Sequence, residues 1–358
     1  MKRAILVWLL TGILGGITPA AAVAHKTRRG SGGRSHRLTP PVDPTLGDNV
    51  DGEDLVIRRA AVAALGSVNG SVVVVDPGTG RILTIVNQKL ALKSGFTPCS
   101  TIKLVTSIAA LNEHIIDPDT TVSVTRRLRF NLTTALARSN NQYFARLGKT
   151  LGFERVTSYA QMLGLGERAG LDIAEEQPGV IPAEPPKDGV GMMTSFGEGF
   201  LVTPLELAAL VSAIANNGTL FYLQYPRTEV EIEQFTPKIK RRLDLDSPFP
   251  DIRMGMRAAV DFGTARRIGF DPDDPILGKT GTCTDFRAAS HMGWFGSFNE
   301  VNRHQLVVVV MLTGGHRVSG PVAAGIAGAI YHTLAGQSYF AADASLPGAS
   351  SSGLAAAR

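Results

Sequence analysis

The first regular pattern in this chain is a pair of short β-branched runs. Residues 71–86 read SVVVVDPGTGRILTIV, and Pro77-Gly78-Thr79-Gly80 between the runs predicts a β-hairpin. Far downstream, LGKTGTC (277–283), HMGWFGSFN (291–299) and HQLVVVVMLT (304–313) predict three more strands, the last two joined by the turn residues from Asn299 to Arg303. The long stretch between them has a helical pattern. Thr203-Pro204-Leu205-Glu206 combines an N-cap, a proline at the first helical position and a glutamate at the capping-box position, and Gly218 closes that helix after Asn217. Leu104, Val105, Ile108, Ala109 and Leu111 cover more than one helical face, which predicts a helix buried in the core. Ser319-Gly320-Pro321 opens a last helix through Ala323 and Ile330. The order hairpin, helices, three strands, helix predicts an α+β fold: a five-stranded antiparallel sheet flanked by helices, with an inserted all-helical subdomain.

Both ends of the chain lack this patterning. Met1-Lys2-Arg3, an apolar stretch from Ala4 to Ile17 and the small residues at Ala22-Val23-Ala24 have the form of an export signal, so residues 1–24 are expected to be a signal peptide cleaved after Ala24. The alternative is an uncleaved anchor, because the apolar span nearly reaches bilayer length and Lys26, Arg28 and Arg29 follow it. Residues 25–59 run through Gly, Ser, Pro and blocks of like charge and are expected to be a disordered linker; the low-complexity residues 338–358 are expected to be a disordered tail. One folded domain, 60–337, remains. Composition agrees: 358 residues, 44% hydrophobic and 19% charged, exclude a chain disordered throughout. The net charge of +5 is modest, and much of the basic excess sits in Lys26, Arg28, Arg29, Arg34 and Arg37, so no nucleic-acid partner is expected.

Candidate chemistry begins where a charge interrupts the buried helix. Lys103 follows Ser100 by three positions, which puts both side chains on one side of the first turn. An ammonium buried there loses solvation and its pKa falls. A neutral amine can take the proton of the neighbouring hydroxyl, while backbone N–H groups at the helix start favour negative charge on a reacting carbonyl oxygen. The competing interpretation makes Ser100 a helix cap and lets Lys103 snorkel to water. A single pair at this spacing occurs by chance on the order of once in a chain this size. Ser139-Asn140-Asn141 lies on a turn entering a second helix, where Ser139 could equally be an N-cap. Two other serines, Ser67 and Ser297, also have Asn two places on, but only Ser139 falls between Ser100 and Lys279. At Lys279-Thr280-Gly281-Thr282 a phosphate-loop reading fails, because Asp273 stands where a glycine is required. As a strand, these residues present a cation, a hydroxyl and, at Gly281, a bare backbone that an extended peptide ending in a carboxylate can approach. There is no G-x-S-x-G, H-E-x-x-H or C-x-x-C, and His291 and His316 are read as structural, so no metal and no cofactor are expected.

In this order, S-x-x-K at Ser100, S-x-N at Ser139 and K-T-G at Lys279 resemble the motif set of the penicillin-binding protein and serine β-lactamase superfamily. The flanking SVVVVDPGTGRILTIVN, SFGEGFLVTPLELAALVSAIANNGTL and GWFGSF look like the transpeptidase domain of the high-molecular-weight penicillin-binding proteins, over about Ala60 to Leu334. The resemblance implies a penicillin-binding protein/β-lactamase-like fold and a peptidoglycan D,D-transpeptidase. Ser100 would attack the penultimate carbonyl of a stem peptide ending D-Ala-D-Ala, with Lys103 as base and Ser139 passing a proton to the leaving amine. Asn141 would hold the substrate amide. Lys279, Thr280, Gly281 and Thr282 would form the substrate-binding strand, Lys279 and Thr282 taking the terminal carboxylate, and the N–H groups of Ser100 and Thr282 would form the oxyanion hole. β-Lactams would acylate the same serine. A second ammonium at Lys279 would further disfavour charge on Lys103.

The same resemblance implies a place in the periplasm or cell envelope and, as a further partner, a membrane-bound glycan polymerase. The expected linker leaves no room for the N-terminal pedestal domain of most large members, which puts that docking in question. Two alternatives use the same acyl-enzyme: a D,D-carboxypeptidase or β-lactamase that activates water, and a non-catalytic β-lactam-binding sensor. Two residues depart from the family pattern: Cys99 stands where glycine usually precedes the serine, and Glu198 where relatives commonly carry glutamine. The resemblance would bring Cys99 and Cys283 together. A disulfide and two partly buried free thiols both stay open, and the thiols are favoured because disulfide geometry is strict.

Overall fold

The computed structural model describes residues 43–341, apart from 94, 247, 270, 272–273, 286–289, 302–303 and 316–317. The expected signal peptide, residues 25–42 of the expected linker, residues 342–358 of the expected tail, and His316 lie outside the described residues.

Five strands form the antiparallel sheet: β1 (Gly70–Asp76), β2 (Arg81–Val86), β3 (Ile276–Asp285), β4 (Ser290–Asn299) and β5 (Val307–Gly314). Their spatial order is β2-β1-β5-β4-β3. The first hairpin therefore meets the last strand in the middle of the sheet, with Val73 opposite Val309, and β3 is left as the outer strand. The β1–β2 turn is held by Asp76, whose carboxylate accepts from Gly78 N at 2.9 Å and Thr79 Oγ1 at 2.7 Å. Side chains alternate across a strand. Val73, Val75, Val309 and Met311 thus join one core while Val72, Val74, Val308, Val310 and Leu312 join the other. Consecutive valines with no polar alternation record a sheet covered on both faces.

Helices α1 (Leu55–Leu65) and α7 (Gly320–Gly336) cover one face through Ile57, Ala61, Leu65, Ala327 and Ile330. Against the other lies the lobe inserted between β2 and β3, with α2 (Lys103–Asn112), α3 (Asn141–Leu151), α4 (Val190–Phe196), α5 (Pro204–Ala215) and α6 (Phe249–Asp261). Every residue of α5 is buried. Its capping box forms as the sequence predicts, Glu206 N reaching Thr203 Oγ1 at 3.0 Å and Thr203 N reaching Glu206 Oε2 at 2.7 Å. Gly218 N closes the helix on Ala213 O, with Asn217 in the left-handed region at φ 62. The inserted lobe is not all helical. Val122–Ser123 pairs with Arg129–Phe130, and Thr219–Phe221 with Ile239–Arg242. Strands of two to four residues are too short to write a period of two into the sequence.

The expected linker also needs correction, because residues 43–59 are packed onto the sheet. Asp54 caps α1 by accepting from Val56 N and Ile57 N. The charged residues that read as a solvated stretch form a buried cluster. Arg58 bonds Glu53 at 2.7 Å and Asp48 at 2.8 Å. Glu53 also takes Thr84 Oγ1, Ile85 N and the Tyr225 hydroxyl. Asp48 caps the backbone at Asn87 and Gln88. Pairing and hydrogen bonding make the burial of these charges tolerable. At the other end the tail starts later than expected, since Tyr339 OH donates to Asp54 Oδ2 at 2.9 Å and Tyr339 and Phe340 pack on the α1/α7 core.

Removing one partner of a buried cluster strands the others. Arg58→Ala is expected to lower the unfolding free energy by about 3–5 kcal/mol in urea melts. A change under about 1 kcal/mol would mean that these charges are solvated and residues 43–59 loosely held.

Candidate active site

The turn that carries Ser100 is a short 3-10 segment, Cys99–Ile102, feeding directly into α2. It is fixed from several sides. Trp294 Nε1 donates to Thr97 O at 2.9 Å, Thr101 Oγ1 donates to Pro98 O at 2.7 Å, and Phe96 pairs with Val202 as an isolated bridge. Cys99 has φ 52, a left-handed conformation that glycine adopts freely and other residues resist. Neither 3-10 segment nor helix takes a side-chain cap from Ser100. Lys103 does not snorkel: it is fully buried, with Nζ 2.7 Å from Ser100 Oγ.

The second motif converges on the same amine. Asn140, not Ser139, caps α3, its Oδ1 accepting from Tyr143 N at 2.9 Å. That leaves Ser139, itself left-handed at φ 52, and Asn141 free to face α2. Lys103 Nζ is 2.6 Å from Asn141 Oδ1, 3.0 Å from Ser139 O and 3.1 Å from Ser139 Oγ.

The third motif approaches from the outer strand. Lys279 Nζ donates to Ser139 Oγ at 2.9 Å and to Thr280 O at 2.9 Å, so one hydroxyl touches both amines. Lys279 is fully buried, its amine turned to Ser139 rather than to solvent. Thr282 is exposed on that strand, and its Oγ1 accepts from Gly320 N at 2.8 Å at the start of α7. Thr280 is buried, with its hydroxyl on that of Thr264. Gly281 has a structural reason to lack a side chain. A methyl there would come 3.0 Å from Pro98 O and 3.2 Å from the Thr101 methyl. The bare backbone thus makes room for the protein's own serine turn. Beside it, Cys99 and Cys283 are joined in a disulfide, with Cα atoms 5.5 Å apart, so the favoured free thiols are not what forms.

The five polar side chains Ser100, Lys103, Ser139, Asn141 and Lys279 therefore meet in one place, with Thr282 at its rim. Thr264, Trp294 and Gly320 support it. Gly320 and Trp294 lie in stretches the sequence singles out, but the contacts by which these three hold the site come from distant packing.

The electrostatics follow from burial. Desolvation, then the neighbouring Lys279, hold Lys103 well below the ordinary lysine value of 10.5, and desolvation brings Lys279 down to about 7. Four oxygens surround Lys103 Nζ, namely Ser100 Oγ, Ser139 O, Ser139 Oγ and Asn141 Oδ1, so the contacts accommodate either protonation state and burial is what favours the neutral one. Glu198 lies next to Gly197, which packs against Pro98 and the Cys99 carbonyl. Burial, then Asp188, raise its pKa, and its Oε2 has no hydrogen-bond partner among the described residues.

Fold and converging motifs together define the class of the penicillin-binding proteins with a Ser-x-x-Lys site. The chain belongs to the penicillin binding protein transpeptidase domain family, whose model matches residues 70–332. It is similar to Stage V sporulation protein D of Bacillus subtilis (strain 168), 29% identical over 280 residues covering 69% of this chain and 43% of that protein. With Peptidoglycan D,D-transpeptidase FtsI of Escherichia coli (strain K12) it is 24% identical over 345 residues, 84% of this chain and 57% of the other. The apo structure of the TP domain of Burkholderia pseudomallei penicillin-binding protein 3 superposes with a TM-score of 0.69 at 21% identity, covering 80% of this chain and 96% of that one. The chain spans about half the length of the curated relatives it matches.

Two desolvated amines make stability depend on pH. Lys279 titrates near 7 when folded and at its ordinary 10.5 when unfolded, so between those values the unfolded chain holds more protons and stability rises with pH. Relative to Lys279→Met, the wild type is expected to gain about 2–4 kcal/mol between pH 7 and pH 10 in urea melts. A difference that is flat with pH would show that Lys279 is not desolvated.

Proposed function

We propose that this chain is a peptidoglycan D,D-transpeptidase that cross-links stem peptides through an acyl-enzyme on Ser100. The observation that carries the reading is the fully buried Lys103 amine 2.7 Å from Ser100 Oγ, with a second buried amine sharing Ser139. Ser100 gives its proton to Lys103 Nζ as its oxygen bonds the penultimate carbonyl carbon of a D-Ala-D-Ala terminus. The oxyanion is held by the N–H groups of Ser100 and Thr282. The tetrahedral adduct collapses, the C–N bond breaks, and Ser139 Oγ passes its proton to the departing D-Ala amine while Lys103 restores it. Asn141 holds the substrate amide. The exposed Thr282 hydroxyl takes the terminal carboxylate and the buried Lys279 charge favours it from below. An amine of a neighbouring stem peptide then attacks the ester and frees Ser100. A β-lactam enters the same first step.

The Cys99–Cys283 disulfide supports a location outside the reducing cytosol, in the periplasm or cell envelope. A membrane-bound glycan polymerase is the partner that the family suggests. One observation favours a second reading, hydrolysis: Glu198 follows the glycine that packs on the serine turn, and its Oε2 has no hydrogen-bond partner among the described residues, as a group that orients water onto the ester would need.

Mass spectrometry after incubation with penicillin is expected to show a long-lived adduct on Ser100. Lys103→Ala is expected to slow that acylation by about a hundredfold or more while the protein still folds. Normal labelling of the variant would remove Lys103 from the mechanism. Fast repeated turnover of nitrocefin by the wild type would replace the transpeptidase reading with the hydrolase, and Glu198→Gln would then abolish that turnover.

A further inference from the structure

The residue before the nucleophile serine and the residue after Thr282 are bonded to each other. Cys99 is fully buried and left-handed at φ 52; Cys283 is half-buried, with its sulfur joined to that of Cys99. The bond thus links, across 184 positions of sequence, the peptide units flanking the two N–H groups assigned to the oxyanion hole. The hydrogen bond that holds Thr97 and the bridge that holds Phe96 lie upstream of this point. Pro98 O already sits where a methyl on Gly281 would be 3.0 Å away, so turn and strand pack without slack and a shift at Cys99 passes to Ser100.

We propose that the Cys99–Cys283 disulfide is a positioning device for acylation, holding the serine turn in a left-handed conformation that cysteine resists, so that acylation depends on the oxidised state. The inference rests on Ser100 being the nucleophile. Reduction needs a dithiol, either a small molecule or a dithiol protein. Its thiolate attacks Cys283 Sγ, the more accessible sulfur; the S–S bond breaks, and the electron pair leaves on Cys99 sulfur, which takes a proton. The second thiol of the reductant, deprotonated, then attacks the mixed disulfide and releases the Cys283 thiol. Two electrons pass, and the reductant ends as a cyclic disulfide. Without the bond, the left-handed turn at Cys99 can relax and Ser100 moves relative to Thr282 and Lys103.

The test compares the full chain oxidised and reduced by dithiothreitol, with thiols counted after denaturation, the acylation rate constant and initial binding measured separately with a fluorescent penicillin, and a thermal melt alongside. The reduced protein is expected to keep a cooperative melt and its initial binding, but to acylate about tenfold to a hundredfold more slowly. Cys283→Ser is expected to match it with or without reductant. Cys99→Gly combined with Cys283→Ser is expected to recover acylation to within about threefold of the oxidised wild type and to ignore reductant, because glycine adopts the left-handed turn unaided. The proposal is overturned by two free thiols with an unchanged rate, by a glycine double variant as slow as Cys283→Ser, or by loss of the cooperative melt on reduction. Absence of labelling in the oxidised wild type would instead overturn the nucleophile reading, and this inference with it.

Discussion

Two lysine side chains buried within hydrogen-bond reach of one serine hydroxyl are the constraint around which this domain is arranged. Burial of an amine is unfavourable when it is charged, and a second amine nearby makes simultaneous protonation worse. The pair therefore divides the roles. In the proposed mechanism Lys103, held well below the ordinary lysine value by burial and by Lys279, is the neutral partner that accepts a proton, and Lys279, brought down to about 7, is the one that carries charge under a ligand. Ser139 lies between them with its hydroxyl in reach of both amines, which is why the proposed mechanism routes the departing proton through it.

Such a site needs rigid supports, and the fold supplies them from unrelated parts of the chain. Lys103 rides on a helix buried along nine of its ten residues, which closes off water. Lys279 rides on the outer strand of a sheet whose central valines are packed on both faces. The serine turn is wedged between them, held by Trp294 from β4 and by the disulfide from β3. Two residues in this region, Cys99 and Ser139, hold left-handed backbones that L-residues resist. Cys99 precedes Ser100 and Ser139 is itself part of the candidate site, where strain is tolerated because the surroundings over-determine the geometry.

Much of this was legible in the sequence because local chemistry and global role coincide there. The strands are written in β-branched runs, α5 in its capping box, and the three motifs in their order. What stayed hidden depends on partners far away in the chain. Asp48, Glu53 and Arg58 read as a solvated charged stretch because nothing in a linear sequence says that they will be buried together. The contact of Gly281 with the serine turn is hidden because Pro98 is remote in sequence. The disulfide was underrated for the same reason: two cysteines alone do not show that their Cα atoms will stand 5.5 Å apart. The short strand pairs in the inserted lobe left no trace because two to four residues cannot display a period.

The proposed mechanism requires a neutral amine at Lys103, and the protonation of that amine can be read directly. Selective carbon-13 labelling of lysine at Cε, with Lys103 assigned by comparison with Lys103→Arg, follows that amine by NMR through a pH titration. Its transition is expected well below the ordinary 10.5. A Lys103 signal titrating at the ordinary lysine value would mean a charged amine beside Ser100, and the proposed base would be contradicted.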